Sequence, residues 1–234
     1  MEAFTARHLV VRLDLRGFGE SAIPGAPFSH VDDVRALLDH LGIERTALVG
    51  NSFGGRVALD FTLLHPHRTT ALMLVDSALG GFEGSAFFDE FDEEEEALLD
   101  DGKLDEAVEL NLRTWLDGPA REAAPVSAEV RTRVAEMQRS SFEMLVRAHE
   151  RSPEPGPVTW AEPPAVTRLA EVAVPTLVVV GRLDQPDFRA ISKRLAEEIP
   201  GAESVELETA HLPALERPDE FNRLVLDFFG RRTA

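Results

Sequence analysis

Short apolar runs alternate with longer amphipathic segments along the chain. Runs of roughly four to eight residues rich in Val and Leu are typical of strands buried on both faces, as in a parallel sheet covered by helices. AESVELET (202–209) alternates more regularly between apolar and polar residues, which predicts an outer strand. The buried strands predicted in this way are HLVVRLDL (8–15), TALVGN (46–51), ALMLVD (71–76) and TLVVVG (176–181).

The segments between these runs have helical periodicity. In SHVDDVRALLDHLG (29–42), Ser29 is a suitable N-cap, apolar residues recur on one face, and Gly42 ends the helix. Pro66 ends the helix predicted in GGRVALDFTLLHP. Two further helices are predicted in DFRAISKRLAEEIPG and RPDEFNRLVLDFFG. Because strands and helices alternate, we expect an α/β fold with a parallel sheet flanked by helices.

Residues 80–165 interrupt this alternation. Acidic, helical-looking pieces follow one another there, and the proline-rich sequences SPEPGP and AEPP lead back to the next strand. The run Glu93–Glu96 is typical of a solvated helix face. We therefore predict an α-helical insertion at 80–165, and an α/β core made of residues 1–79 and 166–234.

Charge and composition exclude several classes of function. The 234 residues carry a formal net charge of −18 and include no cysteine. The excess of acidic residues argues against nucleic acid and against anionic membrane surfaces as partners. The lack of cysteine excludes disulfides, thiol nucleophiles and thiolate metal sites. No apolar run approaches about 18 residues, so we expect a soluble, cytoplasmic protein.

The first candidate for chemistry is a serine in the sequence VGNSFGG (49–55). Gly50, Ser52 and Gly54 form the pattern Gly-X-Ser-X-Gly between a predicted strand and a predicted helix, which is typical of a nucleophile elbow. Glycines at 50 and 54 are expected to avoid side-chain collisions across the turn. The backbone N–H of Phe53 is expected to point into the same space and to stabilise an oxyanion.

A serine hydroxyl needs a base, and the base needs a carboxylate. His211 follows the last predicted strand, in a loop position where parallel sheets place functional groups. Asp184 lies in the loop after strand 176–181 and is the preferred acid, because Asp187 reads as a residue of a helix N-terminus. Asp76, at the end of an earlier strand, is the reserve acid.

These segments together resemble the α/β-hydrolase superfamily over nearly the whole chain. The resemblance implies that Ser52 is the nucleophile, Asp184 the acid and His211 the base. It also implies that the helical insertion is the family's cap, which roofs the cleft and sets selectivity. The motifs that carry the resemblance, in the family's order, are DLRGFGES (14–21), VGNSFGG, PTLVVVGRLD and AHLPALERPDEF.

One departure from the family pattern concerns the start of the chain. The family has three strands before the segment VVRLDLRG, and a His-Gly loop after its third strand donates the second oxyanion N–H. The chain begins at MEAFTARH, so these strands and that loop are expected to be absent. Strand 8–15 must then pair directly with strand 46–50 or leave backbone groups unpaired. An earlier natural start and a degenerate, inactive copy both explain this departure.

The resemblance implies a serine hydrolase that cleaves an ester, lactone or related acyl bond, or a carbon–carbon bond beside a carbonyl. The alternative is a catalytically impaired relative that binds a small ligand or a partner under the cap. Trp115, in the insertion, is a candidate for the substrate pocket. The triad needs neither a metal nor a cofactor, and we expect none. The expected partner is a small-molecule acyl substrate.

Overall fold

The protein is built around a parallel sheet of four strands in the order β1-β2-β3-β4. The computed structural model describes residues 2–119, 121, 126–151 and 156–231. The strands are β1 (Thr46–Asn51), β2 (Thr69–Val75), β3 (Thr176–Gly181) and β4 (Glu203–Leu207). The helices are α1 (Glu2–Thr5), α2 (His30–His40), α3 (Phe53–Leu64), α4 (Phe87–Asp100), α5 (Leu104–Asn111), a π-helix (Leu112–Asp117), α6 (Ala128–Arg151), the 3-10 turns Ala165–Thr167 and Leu169–Glu171, α7 (Pro186–Glu198), α8 (Pro213–Glu216) and α9 (Pro218–Gly230).

Helices cover both faces of the sheet, as the apolar runs predict. Alternate residues of β2 point to opposite faces, because side chains alternate along a strand. Leu72 and Leu74 pack with α3 and α7, while Met73 packs with Phe221 and Phe228 of α9. Both β2 and β3 are buried along nearly their whole length. The α/β fold with a parallel sheet flanked by helices, expected from the sequence, is confirmed.

The N-terminal strand prediction is wrong. Residues 8–15 form no strand, and β1 lies at an edge of the described sheet. Leu9 is 83% exposed, and Val11 and Leu13 are also exposed. A strand requires a hydrogen-bonded neighbour, and within the described chain this segment has none. Residues 9 and 11–14 are exposed, so water can reach this part of the backbone, and the cost of burying unpaired backbone groups is avoided there.

The insertion between β2 and β3 has a small apolar core of its own. Val108, Leu112, Leu116 and Phe142 are buried together where α5, the π-helix and α6 meet. Of the acidic run, Glu93, Glu94 and Glu96 are exposed. Glu95 is half-buried and accepts a hydrogen bond from Asn111. The boundaries at 80 and 165 stay a prediction. No described helix combines the length and the apolar character that crossing a membrane requires.

Candidate active site

Ser52 occupies a strained turn between β1 and α3. Its backbone has φ 52° and ψ −121°, which non-glycine residues rarely adopt. Hydrogen bonds fix the turn: Ser52 N–H donates to the carbonyl of Val75 at 2.9 Å, and its own carbonyl accepts from Ala78 N–H at 3.0 Å. Strain of this kind persists only where surrounding contacts hold it, and it is concentrated at functional sites.

The glycines around Ser52 have unequal roles, and only the expectation for Gly50 is confirmed. A Cβ on Gly50 would lie 2.3 Å from the carbonyl oxygen of Gly54, so position 50 excludes a side chain. A Cβ on Gly54 would meet nothing within 4 Å, so the collision predicted for that position does not exist. The second close approach is at Gly55, whose Cβ would lie 2.3 Å from Ser77 Oγ. The sequence missed it because the contact depends on how β2 ends beside α3.

Asp184 and His211 form a buried pair after β3 and β4. His211 Nδ1 donates to Asp184 Oδ2 at 2.7 Å, and Asp184 Oδ1 accepts from the backbone N–H of Gln185 at 2.7 Å. The two side chains are almost fully buried. With Nδ1 held by the carboxylate, the Nε2 atom of His211 is the nitrogen left to accept a proton.

Asn51 connects the turn at Ser52 with the His211 loop. Its side-chain amide donates to the carbonyl of His211 at 3.3 Å and to the carbonyl of Val75 at 3.0 Å. Within the described residues, no direct hydrogen bond joins Ser52 Oγ to the His211 ring. Hydrogen bonds of this kind are often long without substrate and shorten in the reacting complex. The structure thus brings the two loops together through Asn51, which sequence reasoning did not single out.

Phe53 begins helix α3, directly after Ser52. Backbone N–H groups in the first turn of a helix have no acceptor within the helix, so this one is available for a negatively charged oxygen. The Phe53 side chain is fixed among aromatic rings: its centroid lies 5.6 Å from Phe18, 5.1 Å from His30 and 5.6 Å from Trp160. This packing restrains the peptide that carries the N–H.

Trp115 lies against His211, in the π-helix of the insertion. The Trp115 carbonyl accepts from His211 N–H at 3.1 Å, and the two ring centroids are 5.1 Å apart. Phe188 of α7 also packs against His211, with its ring centroid 4.3 Å from that of His211. Both Phe91 and Phe188 contact Trp115. The surroundings of His211 are therefore aromatic, and the role of Trp115 in a substrate pocket stays a prediction.

The two other acids considered from the sequence have distinct positions. Asp187 lies in the first turn of α7, as expected, and accepts from Ser85 N–H at 3.1 Å and Ser85 Oγ–H at 2.6 Å. Asp76 is fully buried. One of its carboxyl oxygens lies within 4.8 Å of a carboxyl oxygen of Asp184 and of a ring nitrogen of His211. Burial and the nearby Asp184 raise the pKa of Asp76 well above its ordinary value.

Comparisons with known proteins agree with one another. A family model described as alpha/beta hydrolase fold matches residues 1–218. A 2-hydroxy-6-oxononadienedioate/2-hydroxy-6-oxononatrienedioate hydrolase from Paraburkholderia phymatum is 32% identical over 240 residues, which cover 99% of this chain and 80% of that protein. A solved hydrolase from Pseudomonas aeruginosa has a TM-score of 0.75 and 29% identity, over 98% of this chain and 82% of its own. A solved N-acyl homoserine lactone degrading enzyme has a TM-score of 0.65 and 30% identity, and the match covers 92% of this chain and 80% of that protein's chain.

Proposed function

The chain belongs to the α/β hydrolase family, and we propose that it is a serine hydrolase that cleaves an ester, a lactone or a related acyl bond of a small molecule. The observation that carries this proposal is the buried bond of 2.7 Å between His211 and Asp184, beside a serine held at φ 52°. A free serine hydroxyl is a weak nucleophile, and a histidine oriented by a carboxylate is the base that activates it.

The reaction proceeds in two steps that share the same groups. In the first, Ser52 Oγ bonds to the carbonyl carbon of the substrate as its proton passes to His211 Nε2, and that proton then leaves with the departing group. In the second, His211 takes a proton from water, the hydroxide oxygen bonds to the acyl carbon, and Ser52 is released as its oxygen regains the proton. Asp184 stays a carboxylate and stabilises the imidazolium in both steps.

The negative charge that develops on the carbonyl oxygen requires donors. We assign one of them to the N–H of Phe53, because it lies at the start of α3 where the helix dipole also favours an anion. Removing one donor from such a hole typically lowers turnover by roughly 10²–10³-fold.

A second candidate reaction is hydrolysis of a carbon–carbon bond beside a carbonyl group. It is favoured by the relative from Paraburkholderia phymatum, which is named for a 2-hydroxy-6-oxo dienedioate substrate. Both reactions need a base, an oxyanion donor and a nucleophilic oxygen, so the same residues suit either. Which reaction takes place depends on the substrate that binds.

The decisive experiment measures hydrolysis of p-nitrophenyl acetate, a homoserine lactone and a 2-hydroxy-6-oxo dienoate by the native protein and by Ser52→Ala. We expect the native protein to cleave at least one of them, and Ser52→Ala to lower kcat/KM by roughly 10⁴-fold or more. A fluorophosphonate should label Ser52 in the native protein only. Hydrolysis that Ser52→Ala leaves unchanged would contradict the proposal. Absent turnover together with absent labelling would favour the impaired, ligand-binding alternative.

A further inference from the structure

Asp76 is a buried acid to which the proposed reaction assigns no role. It directly follows β2, is fully buried, and has φ 40°. Its Oδ1 accepts the backbone N–H of Gly181 at 2.7 Å, which joins the carboxyl ends of β2 and β3. A strained backbone and a fully buried carboxyl group each cost free energy, so surrounding contacts must hold Asp76 in this position.

The second carboxyl oxygen of Asp76 has no donor. Among the described residues, no N–H or O–H group reaches Oδ2. A neighbouring group is the carboxyl of Asp184, one oxygen of which lies within 4.8 Å of an oxygen of Asp76. Two carboxylates this close together and away from water repel each other strongly, so they do not both stay ionised. A single proton between them removes the repulsion and gives Oδ2 its missing partner.

The hydrogen bonds to the two acids differ in number. Asp184 accepts two hydrogen bonds, from Gln185 N–H and from His211 Nδ1. Asp76 accepts one, from Gly181 N–H. Hydrogen bonds to the charged form of an acid favour that form. These hydrogen bonds favour the negative charge on Asp184 and the proton on Asp76.

We propose that Asp76 is a neutral carboxylic acid whose Oδ2–H donates to Asp184, and that it is a positioning residue for the Asp184–His211 pair. This inference rests on the proposed function for its catalytic meaning. The proton of Asp76 stays in place during turnover, while the proton of Ser52 moves to His211. In this role Asp76 fixes the orientation of the Asp184 carboxylate without adding a second negative charge behind the imidazole.

The charged groups around Asp76 agree with a neutral acid. Glu216 of α8 adds a third acidic group to the same region, and its charge also raises the pKa of Asp76. Arg121 pairs with Glu216. Among the described residues, His211 is a further titratable group close to Asp76, and its Nδ1 is bonded to Asp184. Burial is the largest cause of the raised pKa of Asp76, followed by the charge of Asp184.

The test compares two variants at position 76. Asp76→Asn keeps an oxygen for Gly181 N–H and provides an N–H donor to Asp184, so it imitates the neutral acid; Asn also tolerates positive φ. Asp76→Gly suits the same φ but provides neither group. We expect Asp76→Asn to keep kcat/KM within about tenfold of the native value. Asp76→Gly should lower kcat/KM roughly 100-fold, which is the size of loss that a misplaced catalytic group causes. Asp184→Asn should lower kcat/KM roughly 10³–10⁴-fold.

An infrared measurement on the same variants detects the proton itself. At pH 8 the native protein should show the carbonyl stretch of a protonated carboxylic acid, shifted in heavy water, and Asp76→Asn should lack it. Asp60→Asn is the matched control, because Asp60 is also buried but its pKa of about 6 leaves it mainly ionised at pH 8. That control should leave the band in place. The acid limb of the kcat/KM profile should keep its position in Asp76→Asn.

Several results would overturn the inference. One is a fall in kcat/KM for Asp76→Asn as large as that for Asp184→Asn. Another is an acid limb displaced to lower pH in Asp76→Asn, because the imidazolium form of His211 would then have lost a negative neighbour. A band that survives Asp76→Asn would also overturn it. So would a band that appears only after treatment with a chelator, because a metal ion rather than a proton would then lie between Asp76, Asp184 and His211. If no variant or native protein hydrolyses any substrate, the proposed function fails, and the infrared band still decides where the proton lies.

Discussion

At the scale of single residues, the turn at Ser52 depends on space that only glycine leaves. Ser52 itself has a positive φ, and backbone atoms approach one another closely at Gly50. The backbone of Gly54 lies at the start of α3, so the helix restrains it from shifting away from a new Cβ on Gly50. The two glycines of the Gly-X-Ser-X-Gly pattern therefore differ. The close approach of backbone atoms requires glycine at position 50, and no such approach requires it at position 54.

We predict that Gly50→Ala destabilises the protein by roughly 3 kcal/mol or more, because overpacking against rigid backbone at least matches ordinary core overpacking. Gly54→Ala is the matched control and should change stability by less than about 1 kcal/mol, with a gain favoured by helix propensity. Urea denaturation followed by circular dichroism measures both. Equal losses in the two variants would contradict the steric explanation.

Among the elements, the π-helix of the insertion is attached to both loops that carry the proposed base and acid, His211 and Asp184. The Trp115 carbonyl accepts from His211 N–H, and the Gln185 side chain donates to the Thr114 carbonyl at 3.1 Å. Arg121 donates to the carbonyls of Leu116 and Asp117 at the end of the same helix. A π-helix leaves carbonyl groups available for such contacts, and it is frequent at functional sites.

The ion pair between Arg121 and Glu216 completes this attachment. Both side chains are largely buried, and Glu216 Oε1 also accepts from the N–H of Ala210, the residue before His211. Burial raises the pKa of Glu216, and the bond to Arg121 opposes that change. The pair therefore links the end of the π-helix to the backbone that positions the histidine.

We predict that Glu216→Gln lowers the free energy of unfolding by roughly 2–4 kcal/mol, because it leaves the Arg121 charge buried without a counterion. It should also lower kcat more than it raises KM, since the His211 loop loses its support. Glu208→Gln is the control: it breaks an exposed ion pair with Arg182 and should cost at most about 1 kcal/mol. Equal effects of the two changes would show that burial of the pair does not matter.

At the scale of the whole molecule, the net charge of −18 acts on stability rather than on fold. Excess charge of one sign repels itself in the compact state. Its screening depends on ionic strength, because the Debye length falls from about 30 Å at 0.01 M to about 8 Å at 0.15 M salt. Most of the ion pairs between described residues are exposed, so little stability is lost when they are screened.

We predict that Tm rises as NaCl increases from about 0.01 M to about 0.15 M, because screening reduces this repulsion. A variant with Glu93, Glu94 and Glu96 replaced by Gln removes three exposed negative charges and should show a smaller rise. Calorimetry at both salt concentrations measures the difference. A falling Tm would mean that screened attractions outweigh the screened repulsion.

Elements whose signals are local could be predicted from the amino-acid sequence alone. The Val and Leu runs of β1, β2 and β3, the N-cap at Ser29 and the stop at Gly42 all appear where the pattern predicts them. Ser52, Asp184 and His211 could be proposed from sequence because each follows a strand, and the carboxyl ends of parallel strands meet at one edge of a sheet.

Features that depend on a residue distant in the chain became visible only in the folded structure. Residues 8–15 have a strand pattern but no strand, since pairing requires a partner that the local sequence does not contain. The contact of Gly55 with Ser77 and the pairing of Glu216 with Arg121 join segments that have no shared periodicity. The same holds for Asp76 beside Asp184, where burial and proximity together change the chemistry of an acid. Local periodicity fixes an element, whereas distances between elements are fixed by packing.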